Sequence, residues 1–229
     1  MEMQMRIFVY IDGLNLYHRA LKNHPELKWL NLEKLCQKAL GKKHDIIKIN
    51  YYTALVSGKF NGQAPKRQQL YFKALATLPL VEIHKGKMEV RKKKLPFQRS
   101  PKSRDLLIPK PWLPLLPRPK MAKVFKTEEK GSDVALGVHL VRDAFQKKYD
   151  IAAIITNDTD LCEPIRIVTN ELKLPVILIS PNNKPAASLE ILATSIRHID
   201  RNRLLQSQFA NPLEDRINGK NISKPEDWG

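Results

Sequence analysis

The chain has 229 residues, enough for one α/β domain with a full core and an insertion. Its 40 Lys and Arg against 23 Asp and Glu give a formal net charge of +17, a balance that favours an anionic partner, most commonly nucleic acid. No apolar run approaches the ~20 residues of a membrane span. MEMQMR is followed by only IFVYI before Asp12, too short for a signal-peptide core. Cys36 and Cys162 have no CxxC spacing and lie in apolar helical surroundings, so they read as buried free thiols of a cytoplasmic protein.

Residues 6–11 (RIFVYI) form a continuous aromatic and β-branched run, the pattern of a buried parallel strand. Asp12-Gly13 breaks it, and LNLYHRALK continues as a helix. A second helix fits 31–40, where Leu32, Leu35, Cys36 and Ala39 share a face. Residues 46–56 read as a strand, 64–78 as a helix and 80–84 (LVEIH) as a third strand. After an interruption the rhythm resumes at Gly131. A helix over 132–147 places Val134, Val138, Val141 and Phe145 on one face. IAAIIT (151–156) is the next strand, 160–172 a helix, PVILIS (175–180) a strand and PAASLEILATS a last helix, with IRHI as a short final strand. Strands alternating with helices predict an α/β fold, a Rossmann-like three-layer αβα sandwich around a mainly parallel sheet. Its span is residues 1–200. Residues 201–229 are polar without periodicity and read as a C-terminal tail or loosely docked extension.

The interruption is the basic segment 85–126, which holds fourteen Lys and Arg against Glu89 and Asp105, or +12 of the net +17. It also holds seven prolines, a density that excludes a regular helix or a central strand. The pattern predicts an extended insertion flanked by short strands at KMEVRKK and KVFK. Trp112, Leu113, Leu115 and Leu116 would pin its middle to the body. A charge run is commonly a solvated face. This one falls between the acidic groups described next, so it also suits contact with a polyanion.

Asp12 ends the first strand, Asp158 and Asp160 follow IAAIIT, and Asp133 opens a helix. In open parallel sheets ligands bind beyond the carboxyl ends of the strands, near the switch in strand order. The first strand and IAAIIT are expected to be neighbours across that switch. A buried carboxylate is costly unless paired or bound to a cation, so converging carboxylates suit a hard ion such as Mg²⁺ or Mn²⁺. Local alternatives exist for each: a turn at Asp12-Gly13, a helix cap at Ser132 or Asp133, and a capping box at Asp160 to Glu163.

IDGLNLY (11–17), KGSDVALGVHLVRDAF (130–145) and IITNDTDLCEPI (154–165) resemble, in order and spacing, the three signature blocks of the NYN family, a branch of the PIN-like metal-dependent ribonucleases. The likeness runs over roughly residues 5–200. It implies hydrolysis of RNA phosphodiester bonds with Mg²⁺ or Mn²⁺, leaving a 3′-hydroxyl and a 5′-phosphate. By position, Asp12, Asp133, Asp158 and Asp160 would be the metal ligands, the first three around the main ion and Asp160 on a water or a second ion. Asn15 matches the family's asparagine and would orient a ligand or phosphate. Thr159 fits the Ser or Thr usual between the two aspartates, where its hydroxyl could bond a carboxylate, or it could simply enter the helix. Thr156-Asn157 stands where many members have Ser-Gly. Lys130 could touch a substrate phosphate, and Arg91, Lys92, Lys93 and Lys94 are the expected backbone contacts. PIN-like domains often dimerise, so a homodimer is compatible with the resemblance, although the sequence shows no exposed apolar stripe for it.

The six histidines show no HxxxH spacing, and there is no GxGxxG, Walker or serine-elbow motif. Three other functions stay open. One is an RNA-binding module with an incomplete metal site. Another is a related phosphoesterase acting on DNA or structured junctions. The third is a small-molecule enzyme, because some proteins resembling this branch carry a pyridine-ring hydroxylase label.

Overall fold

The structure, a computed structural model, describes residues 5–41, 44–96, 121–215 and 219–228. In chain order the main elements are β1 (Arg6–Asp12), α1 (Gly13–Leu16, continued by a π turn Tyr17–Leu21), α2 (Leu32–Leu40), β2 (Asp45–Leu55), α3 (Gln63–Leu75), β3 (Val81–Pro96) and β4 (Met121–Lys130). Then follow α4 (Ser132–Phe145), β5 (Ile151–Ile155), α5 (Cys162–Arg166), β6 (Val176–Ser180), α6 (Ala187–Leu192), β7 (Ser195–His198), α7 (Arg201–Gln206), β8 (Leu213–Asp215) and β9 (Lys220–Ile222). One seven-stranded sheet has the order β4-β3-β2-β1-β5-β6-β7, with the pairings from β3 through β7 all parallel. The fold is therefore α/β around a mainly parallel sheet, as the alternation of apolar runs predicts.

Strand alternation divides β1 between two cores. Ile7, Val9 and Ile11 join α2 and α3 through Leu35, Cys36 and Ala74. Phe8 and Tyr10 point to the opposite face, with Leu136 and Leu140 of α4 and Ile165 of α5. Because β1 is covered on both faces, its sequence reads as unbroken hydrophobicity. β1 has β2 on one side and β5 on the other, which makes the β1–β5 boundary the switch point.

Four details depart from the sequence expectations. The helix over 132–147 turns the other way: Leu136, Gly137, Leu140 and Ala144 are buried, whereas Val134, Val138 and Phe145 are 71%, 57% and 63% exposed. Gly137 explains this, since a Cβ there would lie 2.8 Å from Pro164 Cγ, so α4 lays its small-residue face against α5. This puts on the surface an apolar stripe that the sequence reading did not recognise. LVEIH and KMEVRKK are one continuous strand, β3. The helix expected over 160–172 is a 3-10 turn (Thr159–Leu161), α5 and a π turn (Ile167–Glu171) in succession. Finally, the expected tail at 201–229 contributes Leu204, Phe209 and Ile222 to the core, and Trp29 Nε1 donates to the Ala210 carbonyl at 3.1 Å. Scattered large side chains anchor that segment without any helical or strand period.

Residues Met1–Met88 and Glu129–Gly229 form one compact unit and Glu89–Glu128 another. In the smaller unit Arg91 pairs with Glu89 at 2.6 Å, and Lys93 and Lys126 each bond Glu128 at 2.8 Å. Those two lysines hold the Glu128 carboxyl down at about 2. Lys92 lies over the Phe125 ring, and Lys94 is exposed. Trp112, Leu113, Leu115 and Leu116 lie outside the described residues. Among the described residues no helix is long and apolar enough to cross a membrane. Cys36 is buried and Cys162 half-buried, both as free thiols.

Candidate functional site

Asp12 is the last residue of β1 and is 4% exposed. It caps α1: its Oδ1 accepts from the Asn15 N–H at 2.9 Å. Its Oδ2 accepts from Thr156 Oγ1 at 3.0 Å. Gly13 allows this close helix start, because a Cβ there would meet the Tyr52 carbonyl oxygen at 2.6 Å. The neighbouring strand end supplies the other half. Thr156, directly after β5, accepts from the Asp158 N–H at 3.0 Å, and Asp158 in turn caps the 3-10 turn by accepting from the Asp160 N–H at 3.1 Å. Asn15 Oδ1 accepts from the Asn157 N–H at 3.0 Å, so the loops after β1 and β5 are tied side chain to backbone.

Asp133 lies in the first turn of α4, half-buried. Gly131 precedes it with φ +94°, a left-handed turn that brings the end of β4 back over the helix start. There Glu129 Oε1 accepts from the Ser132 N–H at 2.8 Å and from the Ser132 hydroxyl. Gly86 admits this turn, since a Cβ on it would lie 2.9 Å from the Lys130 carbonyl oxygen.

Electrostatics separate this corner from an ordinary buried carboxylate. Burial pushes Asp12 up to about 6, against the Asn15 and Thr156 hydrogen bonds, with Asp158 and Glu129 adding repulsion. Burial likewise raises Asp133 to about 7, helped by the charges of Asp12, Glu129 and Asp158 and by a hydrogen bond with Glu129. Asp143, 2% exposed in the middle of the same protein, behaves oppositely. Burial raises it, but bonds from Arg142, Tyr10 and Lys148 outweigh that and hold it below the usual carboxylate range. Asp143 is a neutralised structural group. Among the described residues Asp12 and Asp133 have no such cation: Asp12 has one N–H and one hydroxyl against the charges of Asp158 and Glu129, and the charged groups acting on Asp133 are carboxylates.

The structure thus gathers Asp12, Asp133 and Asp158, with Asn15 between the loops. Asp160 and Thr159 are exposed on the following turn. The hydroxyl that bonds Asp12 is that of Thr156, not Thr159. Glu129 is the acidic member missed in the sequence; the only local signal for it was an acidic residue three positions before Ser132 across a glycine. Lys130 is exposed at the end of β4. Arg91 to Lys94 lie on the outer part of β3, in the smaller unit. Among the described residues no three His, Cys, Asp or Glu side chains stand close enough to enclose an ion as they are. The donors are nonetheless all carboxylate oxygens under mutual repulsion, which suits a hard divalent cation with water completing its shell.

Fold and site together define a doubly wound α/β protein with a carboxylate cluster at its switch point. No family model matches the chain. It is 26% identical, over an alignment of 249 positions covering 98% of this chain and 75% of the other, to 6-hydroxy-3-succinoylpyridine 3-monooxygenase HspA of Pseudomonas putida (strain DSM 28022 / S16). It is also similar to the crystal structure of a protein of unknown function from Vibrio parahaemolyticus RIMD 2210633, at 9% identity and a TM-score of 0.49 over 88% of this chain and 96% of that one.

Proposed function

We propose that the chain is a metal-dependent ribonuclease of the NYN, PIN-like type, hydrolysing RNA phosphodiester bonds at the carboxylate corner within residues 1–200. The observation that carries this reading is the placement of Asp12 and Asp158 on adjoining strand ends at the switch point, tied through Thr156, with Asp133 near enough to feel their charge, in a chain of net charge +17. Asp12, Asp133 and Asp158 would hold Mg²⁺ or Mn²⁺, with Glu129 beside them and Asp160 within reach of a bound water. Such an ion supplies an activated water and neutralises charge developing on the phosphoryl group.

The chain's own residues do the rest. The Thr156 hydroxyl donates to the Asp12 carboxylate and accepts from the Asp158 backbone N–H, so the two strand ends keep one spacing. Asn15 locks the Asn157 loop and leaves its amide N–H₂ to orient a phosphate oxygen. Lys130 offers a cation for substrate phosphate, and Arg91, Lys92, Lys93 and Lys94 are proposed contacts to the RNA backbone.

The test is cleavage of labelled single-stranded RNA and DNA with Mn²⁺, Mg²⁺ or EDTA, wild type beside Asp158→Asn. The expected outcome is metal-dependent cutting of RNA that the substitution abolishes. Tight binding without cutting, unchanged in Asp158→Asn, would replace this reading with a non-catalytic RNA-binding module. A second reading, a small-molecule enzyme, is favoured by the name of the Pseudomonas relative, whose match covers 98% of this chain and 75% of that protein. Neither binding nor cutting of nucleic acid would turn the balance towards it.

A further inference from the structure

A second feature adjoins the acidic corner and takes no part in it. Gly13 and Leu14, the residues directly after Asp12, form one lip of a cavity of about 320 Å³. That volume sits at the small end of ligand sites, which run roughly 300–1,000 Å³. Its walls are aromatic and aliphatic, with Tyr51, Tyr71, Phe72 and Trp228 among them. Trp228 meets Tyr71 edge-on at 6.0 Å and Trp29 at 6.2 Å, so a rigid aromatic cluster lines one side. Two cations, Lys28 and Arg67, reach the same space from different elements.

Those cations are unusual tenants of an apolar wall. Burial lowers the Lys28 ammonium, and the nearby Arg67 charge lowers it further, against a weaker pull from Glu26. Arg67 bonds Asp227 on the C-terminal turn at 2.5 Å, with the Asp227 side chain 69% exposed. Glu26 is engaged by Arg201. Lys28 and Arg67, the latter anchored by the exposed Asp227, thus bring two cations to one largely apolar wall, where an incoming anion would gain charge-assisted hydrogen bonds. An apolar aromatic chamber beside a cation pair recognises a flat ring that carries a negative group.

We propose that this cavity binds a planar aromatic ring bearing an anionic substituent, the ring against Tyr71, Phe72 and Trp228 and the anion at Lys28 and Arg67. Two sources share that chemistry: one nucleotide of a nucleic acid, with its base in the chamber and its phosphate at the cations, or a free aromatic carboxylic acid. The proposal does not depend on phosphodiester hydrolysis.

The experiment is calorimetric titration of the full chain with the four 5′-ribonucleoside monophosphates and, separately, with benzoate and nicotinate. The parent nucleosides and benzamide serve as uncharged controls. At least one anionic ligand is expected to bind at least about tenfold more tightly than its neutral counterpart, and Arg67→Met and Lys28→Met are each expected to weaken it about tenfold or more. Ala64→Phe, which fills the chamber from α3, is expected to abolish binding, with thermal melts showing that each variant folds. Binding by nucleotides identifies the first source and binding by the carboxylates alone the second. Absence of binding in both arms, equal binding of the neutral analogues, or affinity unchanged in Arg67→Met and Lys28→Met would overturn the proposal. Asp158→Asn is expected to retain full affinity, so a failed nuclease assay and a failed titration remain separate results.

Discussion

At the scale of single residues, Asp143 and Asp12 are two buried carboxylates in opposite electrostatic surroundings. Both are buried, but only Asp143 has Arg, Lys and Tyr donors around it. Asp12 and Asp133 are raised to about 6 and about 7, above the value near 4 of an unfolded chain. The folded state therefore binds these protons more tightly than the unfolded state. The two groups cost nothing below about pH 4, progressively destabilise the metal-free protein between about pH 4 and their folded values of about 6 and 7, and add no further loss above that. Metal binding requires the protons to leave. We expect Mn²⁺ to raise Tm clearly at pH 8 and little at pH 5.5, measured by differential scanning fluorimetry with EDTA controls. Equal shifts at both pH values would contradict the carboxylate assignment. Asp12→Asn removes the cost of burying a charge and with it the repulsion, and is expected to stabilise the metal-free protein by about 1 kcal/mol at pH 8, while removing the Mn²⁺ response.

At the scale of elements, α4 gives the sharpest test of packing. Its sequence is apolar nearly all round, so a 3.6-residue period supports more than one buried face. Gly137 decides between them by admitting Pro164 to van der Waals contact. Leu140→Ala, at a fully buried site, is expected to cost about 2–5 kcal/mol. Val138→Ala, on the exposed stripe, is expected to stay within about 0.5 kcal/mol. Gly137→Val would force α4 from α5 and cost about 1–3 kcal/mol or more. Urea denaturation of the three variants separates these values, and a Val138 loss matching that of Leu140 would mean that the stripe is covered in solution.

At the scale of the whole molecule, charge and chain end each carry a prediction. With +12 of its charge concentrated in residues 85–126, the protein is expected to bind RNA with a steep salt dependence, the dissociation constant rising by orders of magnitude between about 50 and 200 mM salt. Affinity that does not change over that range would remove the electrostatic basis for placing RNA on this segment. Deleting residues 209–229 removes Phe209 and Trp228 from around Trp29 and Ile222 from the same core. A loss of roughly 3 kcal/mol there corresponds to a Tm lower by about 6–12 °C.

What could be read from the chain alone was local or periodic. Continuous apolar runs named the strands, and their alternation with helices named the layers, because a strand covered on both faces favours apolar side chains at successive positions. The strand-end positions of Asp12 and Asp158 already implied one corner, since parallel strands share a carboxyl edge. Other features depend on contacts between residues far apart in sequence. Asn15 meeting Asn157, Thr156 meeting Asp12, and Glu129 folding over Ser132 follow from strand order and a left-handed glycine. The orientation of α4 was settled by a proline in another helix. The C-terminal segment joined the core through isolated large side chains with no period to reveal them. The cavity between α1, α3 and the last turn has walls drawn from five separate stretches of chain. Periodicity reports which side of an element avoids water, but only tertiary packing sets which distant groups share the space so enclosed.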